Sequence, residues 1–271
     1  VRQSFAIALL AATLAASAHA DTAECERHML ATYPFSHRPT AEQIAGLKDC
    51  DAGKLYYGIG VHFDYVRARH CAFANDSHDI LMMLYANGLG VPRNYAVAKM
   101  AACRSDAAEI KARLVRLGRM QTGKEGPSPK IDLCDDAASS QLLSRCAAIR
   151  LDLADQERNA RIDTISARWS DAEKAALLQV RRHAADSTYV EEILGSLLEF
   201  EAGKLPSFTA DDAASAEREL GQMKISPERQ RSWMAYRDAW LGLGKLRYPS
   251  VAAHSWRGYF AKRRVAAIRT Q

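Results

Sequence analysis

The stretch Leu84–Cys103, LYANGLGVPRNYAVAKMAAC, constrains the fold more than any other part of the chain. Apolar residues at helical spacing run up to Gly88, Gly90 follows two residues later, and helical spacing resumes after Asn94. A helix that stops, reverses and restarts so quickly needs positive φ, which glycine reaches without a Cβ clash. A second copy lies about 30 residues upstream at Leu55–Ala74, LYYGIGVHFDYVRARHCAFA. Gly58 and Gly60 stand at the places of Gly88 and Gly90, and Val61, Asp64, Tyr65 and Ala68 at those of Val91, Asn94, Tyr95 and Ala98. A period of roughly 20–50 residues is the mark of repeat architecture. Asp64 and Asn94 are of the type that caps helix N-termini. Ala68 and Ala98 come one turn later, where a small side chain lets helices approach. Val61 and Val91 are expected to fill the gap between the two helices of each copy.

GLGVPRNYAVA resembles the Sel-one-like repeat, a relative of the tetratricopeptide solenoid. The upstream copy matches in part, with His62 and Phe63 replacing Pro92 and Arg93. The resemblance implies a short α/α solenoid. The rest agrees on class: helical periodicity recurs almost everywhere and long alternating β-branched runs are absent, so an all-α chain is expected. Its 271 residues, 48% hydrophobic and 25% charged, suit one or two globular domains.

Residues 1–20, VRQSFAIALLAATLAASAHA, read as a secretory signal peptide: Arg2, an apolar run from Phe5 to Ala16, then Ala18-His19-Ala20 before Asp21. The run is short for a bilayer span. Cys25 lacks the preceding box of a lipoprotein cysteine. A mature chain beginning near Asp21 is expected in the periplasm or outside the cell, with no membrane span.

All six cysteines (Cys25, Cys50, Cys71, Cys103, Cys134, Cys146) follow the expected cleavage site. An even count in a secreted chain points to disulfides. A metal site is the rival reading, but no CxxC and no cysteine–histidine pair at zinc spacing occurs. Cys71 and Cys103 close the second helices of adjacent copies, so stacking is expected to join them. Cys25–Cys50 and Cys134–Cys146 are then the simplest remainder.

Residues 21–131 are expected to hold the repeats and 132–208 a long helical hairpin. The final helical module is expected over 209–271. Thr122–Lys130, TGKEGPSPK, reads as the linker after the repeats. Thr40 with Gln43, and Ser170 with Glu173, form capping boxes. The helix from Ser170 is expected to reach about Glu201, where Gly203 and Pro206 stop it. Thr209 and Ser226 cap two more helices, Pro227 sitting at the first position of the second.

SPERQRSWMAYRDAWLGL resembles the signature helix of the LprI-type lysozyme inhibitor family through Gln230, Arg231, Trp233, Tyr236, Arg237, Asp238 and Ala239. Leu241 stands where that family has a cysteine. The likeness covers about residues 209–271 and implies a protein that binds and blocks a cell-wall lytic enzyme. The residues themselves say something plainer. Trp233, Tyr236, Trp240 and Leu243 recur at three- and four-residue steps, which is a buried helix face before it is a binding face. Arg237 and Asp238 are adjacent and expected to point apart, with Arg237 free to pair with Glu217 or Glu219.

No catalytic constellation emerges. GxSxG and HExxH are absent, and His62, His70 and His78 straddle a turn and a helix boundary. Asp135-Asp136 and Asp211-Asp212 lie near helix starts, where acids favour the dipole. The chain is not expected to be an enzyme, to carry a cofactor or metal, or to bind nucleic acid. Between Ser226 and Gln271 ten basic residues face two acidic ones. Lys262, Arg263 and Arg264 are the candidate contacts to an anionic partner such as a wall polymer. An envelope scaffold that uses its repeats to hold a protein or the wall is the alternative to an inhibitor.

Overall fold

The computed structural model describes residues 24–47, 49–105, 107–184 and 187–270. The expected signal peptide lies outside them. The chain is all-α, with no strand among the described residues. It divides into two compact units, Val1–Gln156 and Glu157–Gln271.

In the first unit, residues 24–28 form a short helix and Phe35–His37 a 3-10 turn. Six helices follow: α1 (Ala41–Ala45), α2 (Ala52–Tyr57), α3 (Tyr65–Ala74), α4 (His78–Asn87), α5 (Tyr95–Ala102) and α6 (Ala107–Gln121). From α2 to α6 each helix packs against the next. The two glycine turns are built alike. Gly58, Gly60, Gly88 and Gly90 all have φ between 64° and 73°. In one turn the N–H groups of Gly58 and Ile59 both reach the carbonyl of Lys54; in the other those of Gly88 and Leu89 reach Leu84. Asp64 N–H donates to the Leu55 carbonyl at 3.0 Å, as Asn94 N–H does to Tyr85 at 2.9 Å. Asp64 and Asn94 then cap α3 and α5 through their side chains. Ala68 and Ala98 are fully buried at the close helix crossings.

The valines part company. Val91 is 7% exposed, whereas Val61 is 48% exposed and fills no gap. The second turn is covered by the start of α3, where Tyr65 lies against Gly90. At Gly60 the equivalent space is open.

The disulfides are Cys25–Cys103, Cys50–Cys71 and Cys134–Cys146, with no free cysteine. The expected Cys71–Cys103 bond does not form. Helix α4 packs on both α3 and α5, so the two second helices are not each other's neighbours. Cys71 instead meets Cys50, which immediately precedes the N-cap Asp51 of α2, the helix packed on α3. Asn75 Nδ2 fastens that loop by donating to the Cys50 carbonyl at 2.8 Å. The segment after Cys25 lays Tyr33 against Phe73 and Tyr85, and His37 against Tyr85. Three disulfides are the usage of chains that fold in oxidising compartments.

The first unit continues past the expected boundary at residue 131. Ile131, Leu133, Leu142 and Cys146 belong to its core. Buried Asn87 holds the segment at Ile131 in place: Nδ2 donates to the Ile131 carbonyl and Oδ1 accepts from the Ile131 N–H, each at 2.8 Å. Glu109, fully buried, accepts from the N–H groups of Ala138 and Ser139 just before α7 (Ser140–Ser166). Burial alone would raise its pKa, but the bonds from Ser139 and Ala138 and nearby Arg113 outweigh it, and the carboxyl is held low.

In the second unit the segment expected as one helix is two, α8 (Asp171–His183) and α9 (Ser187–Glu201). Ala184, with ψ 50°, leaves helical geometry. The break lets Leu177 and Val180 of α8 and Tyr189, Ile193, Leu197 and Phe200 of α9 share one core. Helices α10 (Ala210–Gly221), α11 (Pro227–Arg247) and α12 (Ala253–Arg269) complete it. Helix α8 packs along α11 and α10 along α12, while α11 and α12 pack on each other. The α11–α12 approach is close enough that a Cβ on Gly244 would lie 2.6 Å from Trp256. The caps at Thr40, Ser170, Thr209 and Ser226, and Pro227 at the helix start, are present as expected.

Candidate functional site

The uncovered first turn gives the repeats an open apolar wall. Val61, Phe63 and Val66 are each about half exposed, and with Tyr65 and Gly90 they border a groove of about 560 Å3. Phe63 stands where the second turn has Arg93, so the partial match of the first copy coincides with its exposed surface. Local sequence favours burial of these side chains; among the described residues no earlier helix covers this turn as the start of α3 covers the second. The rim is polar, with the His62 ring tilted against Phe63 and Gly60 N–H donating to Gln156 Oε1 at 3.2 Å. Contiguous apolar surface bordered by polar groups is characteristic of interaction sites.

A second, smaller depression of about 280 Å3 lies where the N-terminal segment crosses α3 and α4, bordered by Tyr33, Phe73, His78 and Arg104. Its polar groups bond one another. Tyr33 Oη and His78 Nδ1 are 3.3 Å apart, and Arg104 lies over the Tyr33 ring. His62, His70 and His78 serve three separate contacts, with Phe63, Arg69 and Tyr33. Burial lowers the pKa of His70 and His78. Among the described residues, no group of three or more histidines, cysteines or acids could hold a metal ion. None of the described helices is long and apolar enough to cross a membrane.

The helix expected from SPERQRSWMAYRDAWLGL is α11. Trp233, Tyr236, Trp240 and Leu243 are buried along one face, in the core of the second unit. Tyr236 stacks on Tyr189 with ring centres 4.8 Å apart, and burial pushes its hydroxyl pKa well above the usual value. Gln230 Oε1 is buried and without a hydrogen-bond partner. Arg237 and Asp238 do not point apart. The Arg237 Nε and Nη2 donate to Asp238 Oδ1 at 2.9 and 2.7 Å while the guanidinium lies over Trp233. A long side chain can fold back along the helix surface to its neighbour, which the angular spacing of Cβ atoms does not forbid. Glu217 and Glu219 pair instead with Arg257 and Arg269.

Half of the ten basic residues of the hairpin are spent inside the unit. Arg237, Arg247, Arg257, Arg263 and Arg269 each pair with an acid. Arg263 lies 2.9 Å from Glu192 and 3.4 Å from Glu199. Arg264 is 8% exposed and lies over the Tyr189 ring. Of the three candidate contacts, Lys262 alone is exposed, near the ring of Phe208. Apart from Asp238, the acids that pair with this hairpin sit on α8, α9 and α10, far away in sequence, which is why net charge over the last two helices misjudges it. Acidic Asp211 and Asp212 do occupy the first turn of α10. Asp135 instead accepts from Asp132 N–H and pairs with Arg116.

No protein-family model, curated protein or solved structure matches the chain.

Proposed function

We propose that the protein is a non-catalytic binding protein of the cell envelope, exported to the periplasm or beyond, whose repeat region carries the partner-binding surface. The observation that carries this reading is the groove at the first turn. Val61, Phe63 and Val66 stay exposed on a helical frame that two disulfides, Cys25–Cys103 and Cys50–Cys71, cross-link. An apolar wall on a braced frame loses little conformational freedom when a partner docks. The likeness of α11 to the LprI-type signature makes a muramidase of the lysozyme class the first partner to test. Inhibition would then use the repeat face, since Trp233 and Tyr236 are committed to the core.

The test is a lysozyme turbidity assay with the purified protein and with Phe63→Asp/Val66→Asp. Slower clearing with the wild type, lost in the double variant while its circular dichroism is unchanged, is the expected result. A wild type that leaves clearing unaffected removes the inhibitor reading. The scaffold alternative is favoured by the same open turn. It requires the wild type to sediment with purified cell-wall sacculi, or with protein-bearing envelope fragments, and the double variant to stay in solution.

A further inference from the structure

The second unit contains a cleft of about 440 Å3 between α9, α11 and α12, bordered by Tyr189, Glu192, Trp233, Arg263 and Arg264. That volume is within the ordinary range for small-molecule sites. Two guanidinium groups and one carboxylate line it, and the carboxylate is already engaged: Glu192 Oε1 lies 2.9 Å from Arg263 Nε. Arg264 is left over. It is more than nine-tenths buried, its Nε is out of contact with solvent and without a partner, and among the described residues it forms no ion pair or hydrogen bond. Its close contact is the face of Tyr189, 5.1 Å away, and the Glu192 carboxylate, already held by Arg263, attracts it without forming a direct ion pair. A cation–π contact offsets only part of what burying a charge costs, and buried charges are normally paired. A buried guanidinium, held flat on an aromatic ring with unfilled donors at the edge of a cavity, is a preorganised fork for an oxyanion.

We propose that this cleft binds a small molecule through an oxyanion, a carboxylate or a phosphate, which the Arg264 guanidinium receives. Arg263 supplies a second cation at the rim, partly neutralised by Glu192. Trp233, Ala266 and Ala267 offer an apolar wall for the rest of the ligand. The site is independent of the repeat groove and would stand if the partner reading of that groove failed.

Calorimetric titration of the full protein distinguishes the two sources of oxyanion. One probe is glycerol 3-phosphate, with glycerol as its neutral control. The other is N-acetyl-alanyl-alanine, with its C-terminal amide as control. Saturable one-to-one binding of either acid, absent for its control, is expected. Arg264→Met keeps the apolar stem and removes the charge. It should weaken binding by about tenfold or more, as loss of a charge-assisted hydrogen bond does. Without ligand it should melt no lower than the wild type, because a buried cation with no direct ion pair has gone. Glu192→Gln, which removes the competing carboxylate, should bind the same probe more tightly. Failure of both acids to bind at millimolar concentration would overturn the proposal. So would wild-type affinity in Arg264→Met, or unchanged or weakened binding in Glu192→Gln.

Discussion

Gly90 and Tyr65 meet so closely that a Cβ added to the glycine would lie 2.9 Å from Tyr65 Cβ and 3.0 Å from its carbonyl carbon. The contact joins the turn of the second copy to the start of α3 in the first. Gly60 occupies the same backbone conformation, φ 68° against 64°, and has nothing within 4 Å. The pair separates two costs that usually travel together. Gly60→Ala should lose about 1 kcal/mol, the penalty of a Cβ in left-handed backbone. Gly90→Ala should lose about 2–4 kcal/mol, because overpacking against a fixed backbone adds to that penalty. Denaturant melts of the two variants check this. Equal losses would mean that the two turns do not differ in how they are covered.

Non-reducing peptide mapping should find Cys25–Cys103, Cys50–Cys71 and Cys134–Cys146. These bonds close loops with sequence separations of 78, 21 and 12. On loop entropy, removing the first pair as serines should cost the most, about 4–5 kcal/mol, and the last about 3 kcal/mol. Any Cys71–Cys103 peptide from natively folded protein would contradict the packing of α4 between α3 and α5.

What the sequence disclosed is local, and what it hid depends on neighbours. Asp64, Asn94, Thr40 and Ser170 cap helices because the groups they satisfy lie within three residues. The four turn glycines are legible for the same reason. Val61 and Val91 share a local pattern yet differ in burial, because among the described residues the start of α3 covers the second turn and nothing equivalent covers the first. The pairing of Cys50 with Cys71, and of Arg263 with Glu192 and Glu199, turns on which helices lie side by side. The buried face of α11 could be read from spacing. The cleft beside it could not, since Tyr189 and Glu192 come from a helix whose start depends on the break at Ala184.

Acid should loosen the second unit through one cluster. Arg247 bonds Glu173 and both oxygens of Glu201, and Tyr248 Oη donates to Glu201 at 2.7 Å. The hydrogen bonds from Ser170 come first in holding the Glu173 carboxyl below its ordinary value, with Arg247 adding to them. For Glu201, burial pushes upward, but Arg247 and Tyr248 prevail and the net direction is again down. Carboxyls lowered in the folded state contribute stability above their unfolded pKa and lose it as pH falls through the folded one. The melting temperature should therefore fall on acidification below about pH 4.5, the ordinary carboxylate value. Arg247→Met should cost about 2 kcal/mol at neutral pH and flatten that acid limb. An acid limb of unchanged slope in the variant would show that other carboxylates govern it.

The basic hairpin can be dissected with two charge reversals that a net-charge count treats alike. Lys262 is exposed and forms no ion pair among the described residues. Lys262→Glu should change stability by no more than about 0.5 kcal/mol, as surface substitutions usually do. Arg263 stands between Glu192 and Glu199, and burial already raises the pKa of Glu192 against the opposing pull of Arg263. Arg263→Glu would put a third carboxylate among these two and should cost about 3 kcal/mol or more, since one member of a partly buried pair is left opposed by like charge. The damage should be greatest at neutral pH and ease as the carboxylates protonate, opposite in sign to the wild-type acid limb. Of the two reversals, Lys262→Glu is therefore the fair probe of an anionic partner at this face. If the hairpin meets wall polymer, this variant should sediment less with purified sacculi at low salt, and the difference should shrink as salt screens it. Equal sedimentation of the wild type and Lys262→Glu across that salt range would show that the surface of α12 around Lys262 is a solvated face with no anionic partner.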